Sequence, residues 1–452
     1  MSGNDTPIVL RMYFSSYQRG AYIRWESEVL GQVTSRIPMP FAAEDLPLVL
    51  RALDALQDPA YPTAWNSAQE ALFSFSDDER QRLEGLALWD EAADRLPRDL
   101  PRRVGSRLYD ALAFKGDGAQ ALSIVRHHAV AVGAPLLMIC YFRASDAALA
   151  ALPWELLWAD DATPLLLERR LNAAVERRID VAGALPPPPQ GNGPLRILAV
   201  APRAGIPTEL RQSERQARLS AWQPLLQRGL ASMRELGPAT PGELERIVRE
   251  WSPDVVHYYG HGRYEDGVGA LLLDGDRGGE VWTGTDALAA TLGGVSMVFL
   301  HACQGAMTAP YGALLSGIAP ALSAAGVPVV LGMQFTVRAD AATRVATIVY
   351  AGLAQGRSVQ ESLAAARRAL FVAENDRVSW FVPTLYVRSR TTGALSLRPA
   401  PELQSVALTL GAAAAQPARR NPLIKRLSIQ TPRPLERSAA LSGRDAAFGG
   451  GS

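Results

Sequence analysis

From Leu195 onward, short apolar runs alternate with longer amphipathic stretches, and this alternation narrows the possible folds more than any other feature of the chain. LRILAVAP, VVHYYGHG, VSMVFLHAC, VPVVLGMQF and TLYVR are short, apolar and nearly free of charge, so each reads as a buried strand. Between them, residues from about 208 to 233, residues 240 to 250, and the segments GALLSGIAPALSAAG and DAATRVATIVYAGLAQG carry helical spacing. Strands separated by helices are joined by right-handed crossovers. An α/β fold with a mainly parallel sheet, covered on both faces, is therefore predicted.

The first third reads differently. PIVLRMYF (7 to 14) and AYIRWESEV (21 to 29) flank a polar segment and predict a hairpin, and LPLVLRALDALQD and ERQRLEGLALWDEAADRL repeat leucine and alanine at helical spacing. PLLMICYF, PWELLWAD and AAVERRID add strands or short elements before the run Pro186 to Pro189, which fits neither sheet nor helix and marks a connection. The expected division is a mixed α+β accessory region (1–129), a main α/β unit (130–395, its core sheet from about 195) and a basic, Pro/Ala-rich tail (396–452). That tail reads as a flexible linker, or else as a segment docking on a partner or acidic surface. The terminal Gly-Gly-Gly-Ser reads as a linker, with the expectation that a longer protein continues past it.

Composition excludes several function classes. The 452 residues carry 46 basic and 45 acidic side chains, so no general attraction to nucleic acid or an anionic membrane is expected. Two cysteines, Cys140 and Cys303, rule out a disulfide framework and point to a reducing, cytoplasmic setting. The N-terminus lacks the pattern of a signal peptide, and the longest charge-free stretch, Ala287 to Val337, is interrupted by Pro310, Pro320 and Pro328. Neither a phosphate-binding GxxxxGK[ST] loop nor a dinucleotide GxGxxG is present, so no cofactor is expected.

The chemistry concentrates between residues 254 and 305. His261 follows one predicted strand between two glycines, and Cys303 ends another and is followed by Gln304 and Gly305. In an open parallel sheet, loops at the carboxyl ends of strands gather along one edge, and neighbouring strands would bring these two together. A cysteine thiol is weakly ionised at neutral pH and gains nucleophilicity from an imidazole that takes its proton. The oxyanion formed on attack needs preset donors, which the backbone N–H groups of Gly262 and Cys303 can supply. Taken singly, His261 and Cys303 would pass for core residues, as Cys140 does, while His127 and His128 read as helix-surface or packing residues. A metal site at His257, His261, His301 and Cys303 is disfavoured. Positions 257 and 261 of a strand lie about 13 Å apart at roughly 3.3 Å per residue.

HYYGHG, the 42-residue interval to HACQGA, the upstream LPWELLW and the downstream LGMQFTVRADAATRVATIVYAGLAQGRSVQESLAAARRAL together resemble the CHAT family of caspase-like cysteine peptidases, over roughly residues 130 to 390. The resemblance implies a caspase-like αβα sandwich and a Cys/His dyad. His261 would be the general base and Cys303 the nucleophile, with Gly262 and the Cys303 amide as the oxyanion hole. His301, two residues before the cysteine, stands where many relatives have a small residue. It lines the specificity pocket, tunes the dyad or packs beneath the loop. Asp340 falls where related enzymes build their first specificity pocket, with Arg338 able to reverse its charge preference.

The implied activity is that of an endopeptidase acting on a few protein targets in bacterial defence or regulated cell death, such as a gasdermin-like pore former or the chain itself. Activation by a partner or sensor is implied too. The alternatives are a catalytically silent scaffold and the protease part of a larger ATP-regulated sensor. The latter is suggested by LERSAALSGRDAAF, which is similar to the lead-in of phosphate-loop NTPase modules.

Overall fold

The structure is a computed structural model and describes residues 6–389, apart from 18–19, 59–73, 114–115, 160–162, 184, 187–192, 206–207, 266, 303–304, 306–313 and 374–377. The basic tail and most of the proline run lie outside the described residues.

The predicted hairpin forms as β1 (Ile8–Tyr17) and β2 (Gly20–Ser27) and is extended by β3 (Gly31–Pro38). Helices α1 (Leu46–Gln57), α2 (Asp77–Gly85), α3 (Leu100–Leu112) and α4 (Asp117–Val132) follow. In α1, Leu46, Val49, Leu50 and Leu53 recur at the spacing that puts side chains on one stripe, and all four are buried. The segment expected to be helical as far as Leu96 stops at Gly85, after which Asp90 and Arg95 form an isolated bridge. Strand β4 (Leu136–Arg143), the one-turn helix α5 (Ala147–Ala151) and strand β5 (Ala174–Asp180) complete this half, and PWELLW supplies one of the expected short elements, a 3-10 turn.

The second half contains β6 (Leu195–Val200), α6 (Thr208–Gln227), β7 (Ala231–Leu236), α7 (Pro241–Trp251), β8 (Val255–Tyr259), β9 (Gly262–Glu265), β10 (Val268–Asp274) and β11 (Glu280–Gly284). It continues with α8 (Thr285–Leu292), β12 (Met297–His301), α9 (Ile318–Ala324), β13 (Val329–Met333), α10 (Ala339–Ala354), α11 (Val359–Ala373) and β14 (Pro383–Val387). The amphipathic stretch expected to run to residue 233 ends at Gln227, and its last residues belong to β7.

One eleven-stranded sheet runs in the order β3-β2-β1-β4-β5-β14-β13-β12-β8-β6-β7, and β11-β10-β9 form a separate three-stranded sheet. Only the pairs β1–β2, β2–β3 and β13–β14 of the large sheet are antiparallel among the described residues. The mainly parallel α/β fold is thus as expected. The boundary drawn at 129/130 falls inside α4, and β1 pairs with β4 in parallel, so the first strands belong to the same sheet as the rest.

The strands β8, β12, β13 and β14 are buried at every position, as sheets covered on both faces require. Trp25, Trp154, Trp222 and Trp380 are fully buried in one continuous core, in which each fully buried leucine, isoleucine, valine, phenylalanine or methionine contributes about 1.5–3 kcal/mol. The consequence for function is the run β13-β12-β8-β6 of neighbouring strands. Its carboxyl ends bring four loops to one rim.

Candidate active site

β8 and β12 are direct parallel neighbours, with Tyr259 opposite His301. At the rim the Gly260 N–H donates to the His301 carbonyl at 3.3 Å, so the ladder between β8 and β12 holds up to the last residue of β12, two positions before Cys303 in the sequence. Cys303 itself lies outside the described residues. On either side of it, Gly305 N–H donates to the Ala302 carbonyl at 3.3 Å. A Cβ on Gly260 would come within 2.6 Å of the Tyr258 hydroxyl, which the carbonyls of His261 and Leu272 hold in place, so the position favours glycine.

His261 is half-buried and held from several sides. Its carbonyl accepts from Leu272 N–H at 3.0 Å, and the Tyr258 hydroxyl sits 2.8 Å from that carbonyl and 2.7 Å from the carbonyl of Leu272. Its ring Nε2 lies 3.0 Å from the Gly205 carbonyl. A carbonyl only accepts, so Nε2 carries the proton and Nδ1 is left as the basic nitrogen of the neutral ring. Gly262 heads β9 opposite Leu271.

Gly205 escaped the sequence reading. It has φ +70°, and a Cβ on it would stand 2.7 Å from the His261 ring and 2.9 Å from Leu272. Both the backbone conformation and the close approach demand glycine. The loop carrying it is fixed by Asp274 at the end of β10, a second residue missed. One carboxylate oxygen accepts from Arg203 N–H at 2.8 Å and Ala204 N–H at 2.9 Å, and the other accepts from Ala239 N–H at 2.8 Å. Asp274 is buried, so these amides replace the water it gives up. Neither role has a sequence signature, since one rests on a backbone carbonyl and the other on backbone amides.

His301 shares a sheet face with His257, which packs against Trp222 of α6 and Tyr350 of α10. It meets Tyr259 edge-on at 4.4 Å, and its ring centroid is 5.8 Å from that of His257. Burial, and secondly the Arg218 guanidinium, lower its pKa to about 3, so the ring is neutral. His257 is shifted down as well, by burial first and then by His301 and Arg218, and its Nδ1 is 3.0 Å from the Tyr350 hydroxyl. No group of three or more metal-ligating side chains occurs among the described residues. Cys140 is fully buried on β4, where burial pushes its thiol pKa far up, and His127 is exposed on α4.

Asp340 sits in the first turn of α10 and is largely exposed. The part of its hydration lost to neighbouring chain opposes its ionisation. Hydrogen bonds and charge from Arg338, helped by Ala341 N–H and Arg344, hold the carboxyl below its usual range. Arg338 Nη2 is 2.7 Å from the carboxylate, so the two charges largely cancel locally.

LPWELLW has a defined task. Glu155, fully buried, faces Arg177 of β5 at 2.5 Å, and Arg177 also donates to the carbonyls of Ala150 and Leu152 and to Gln334 Oε1 at 3.1 Å. Gln334 directly follows β13 and donates from Nε2 to the Ala151 carbonyl at 2.7 Å. Through these contacts the motif fixes the start of the loop after β13.

Comparison with known proteins adds the family. The CHAT domain family model matches residues 102–434. Among solved structures, the separase of the Saccharomyces cerevisiae separase–securin complex is similar at 11% identity and TM-score 0.44, covering 84% of this chain and 30% of that one. The Porphyromonas gingivalis RgpB pro- and mature-domain complex is similar at 11% identity and TM-score 0.39, covering 80% and 79%. A structure described as a protease is similar at 10% identity and TM-score 0.40, covering 66% and 75%. The chain thus spans about 30% of the length of the separase chain it matches. No curated protein matches it.

Proposed function

This chain belongs to the CHAT domain family, and from that premise we propose that it is a caspase-like cysteine endopeptidase using a Cys303/His261 dyad on specific protein targets. The observation that carries the reading is the hydrogen bond from Gly260 to the His301 carbonyl, since it ties together at one rim the strand ends that lead to His261 and Cys303.

The chemistry follows from the imidazole. With Nε2–H held on the Gly205 carbonyl, Nδ1 accepts the Cys303 proton and the thiolate attacks the scissile carbonyl. The oxyanion is met by the N–H groups of Gly262 and Cys303. Collapse expels the amine, which takes the proton from His261 and leaves a thioester acyl-enzyme. Water, deprotonated by His261, then attacks the thioester and releases the acid and the thiol. No metal or cofactor takes part in this scheme. The neutral, buried His301 supports a packing role beneath the loop rather than proton transfer, and the Arg338–Asp340 pair gives a wall of mixed charge.

The targets, a gasdermin-like effector or the chain itself, and a role in defence or cell death rest on the family alone. Activation by a sensor or partner rests on the family as well, whereas a cytoplasmic setting rests on the two-cysteine composition. Among the described residues no helix is long and apolar enough to cross a membrane. Mapping new N-termini produced in a proteome by the wild-type chain tests the proposal. Cuts that vanish in both Cys303→Ala and His261→Ala support it, and cuts that persist in Cys303→Ala refute it.

A further inference from the structure

The rim has a second supporting element that comes from far away in sequence. β12 and β13 are parallel neighbours, with Leu300 opposite Gly332, so the chain leaving β13 starts about 4.8 Å from the chain leading to Cys303. That chain, Gln334 to Arg338, therefore leaves the same rim as the strand that leads to Cys303 and forms one wall of the proposed site. Its first residue is held from below by Arg177 and the Ala151 carbonyl. Two residues on, the hold comes from α1. The Asp54 carboxylate accepts the Thr336 N–H at 2.5 Å, across 282 residues of sequence. One turn further along the same helix, Gln57 Nε2 donates to the Val378 carbonyl at 2.7 Å, on the segment leading into β14.

Asp54 and Gln57 are both buried, yet they sit in a helix whose other inward positions are leucine, valine and alanine. An apolar residue would satisfy helix packing alone. A carboxylate buried at 5% exposure is costly unless it is hydrogen-bonded, and here one of its oxygens is spent on a backbone amide of the wall. Thr336 is itself buried, so its N–H has no water to replace this acceptor. A charge-assisted bond of this kind is stronger than a neutral one and fixes direction as well as distance.

We infer that Asp54 of α1 is a positioning residue for substrate: it sets the backbone of Thr336, and through it the wall against which a peptide substrate lies beside Cys303, without touching the reacting atoms. The inference rests on the peptidase reading for its substrate. It assigns to the N-terminal region a direct part in peptide recognition, beyond its share of the sheet. The reactivity of Cys303 toward a reagent too small to use the wall does not depend on Asp54.

The test compares two reagents on the full chain. Cys303 is labelled with iodoacetamide, which needs only the thiol, and with peptidyl acyloxymethyl ketones ending in Arg, Asp or Leu, which must also lie against the wall. Asp54→Ala is expected to slow the peptidyl reagents about tenfold or more, because a small misplacement of a positioning group is enough to do so, and to leave iodoacetamide within about twofold. Asp54→Asn keeps one oxygen able to accept the Thr336 N–H and is expected to recover most of the peptidyl rate. Equal slowing of both reagents, or slowing of neither, overturns the inference. Amide exchange at Thr336 provides a readout that needs no reactivity, with faster exchange expected in Asp54→Ala and unchanged exchange counting against the inference. If the wild-type chain itself resists every peptidyl reagent, it is the peptidase reading that fails, and Thr336 exchange alone decides whether α1 holds the wall.

Discussion

The two halves of the large sheet solve the burial problem differently. In β1 and β2, buried Leu10, Met12, Phe14, Ile23 and Trp25 alternate with half-exposed or exposed Tyr13, Tyr22 and Arg24. There Arg24 lies over the Tyr13 ring at 3.9 Å, and Tyr13 stacks on Tyr141 at 4.4 Å. In β8, β12 and β13 every residue is buried. A strand wrapped on both faces offers solvent only its end, so polar chemistry is confined to the loops at the rim. His261 stands in one of those loops, and Cys303 follows the end of β12. The half with one open face offers a surface instead.

The halves meet at a narrow seam. β5 and β14 share a single register pair, Tyr386 with Arg177. The guanidinium of that same Arg177 is held by Glu155 and reaches Gln334 beside the proposed site. The seam is therefore the place where breaking the comparison costs most. Glu155→Ala leaves Arg177 buried and uncompensated and is expected to lower stability by about 3–5 kcal/mol, read by urea unfolding. If the loss stays within about 0.5 kcal/mol, the two halves do not depend on this pair.

Gly205→Ala probes the rim alone. The left-handed φ costs about 1–3 kcal/mol, and the methyl group must displace the His261 ring. A fall in Cys303 reactivity well beyond the fall in stability is expected, measured by alkylation rate beside thermal unfolding. A stability loss with reactivity unchanged would separate Gly205 from the histidine.

The covered half also predicts an acid response. An unfolded histidine titrates near pH 6.5, whereas His301 does so at about 3 when folded and His257 is also well below its usual value. Between those limits the unfolded chain binds more protons than the folded one. Stability therefore falls as pH drops below about 6.5, by up to ~1.4 kcal/mol per pH unit for each histidine. His301→Phe should flatten part of that slope in urea titrations at about pH 7 and pH 5. An unchanged slope would mean that His301 is not held neutral. On the open half, Arg24→Ala should change stability by no more than about 0.5–1 kcal/mol, the scale of an exposed cation–π contact.

What the sequence made legible follows burial, strand by strand. β4, β8, β12, β13 and β14 were readable because burial on both faces demands unbroken apolar runs. The β1–β2 hairpin was readable from two β-rich runs flanking a polar turn. The two strands of the large sheet that were missed, β3 and β7, are its two edges. GQVTSRIP and ASMREL expose much of their length and carry no such run. For the site, His261 and Cys303 stand out by motif and interval. Gly205, Asp274 and Asp54 do not, because each acts through backbone groups brought together only by folding.

The central claim is that His261 takes the proton of Cys303. The pH dependence of Cys303 alkylation by iodoacetamide, in wild type and in His261→Ala, measures it most directly. The account predicts a wild-type thiol that reacts well below the ordinary cysteine pKa of about 8.5, and a profile displaced upward by about one unit or more when the imidazole is removed. Two superimposed profiles would contradict it.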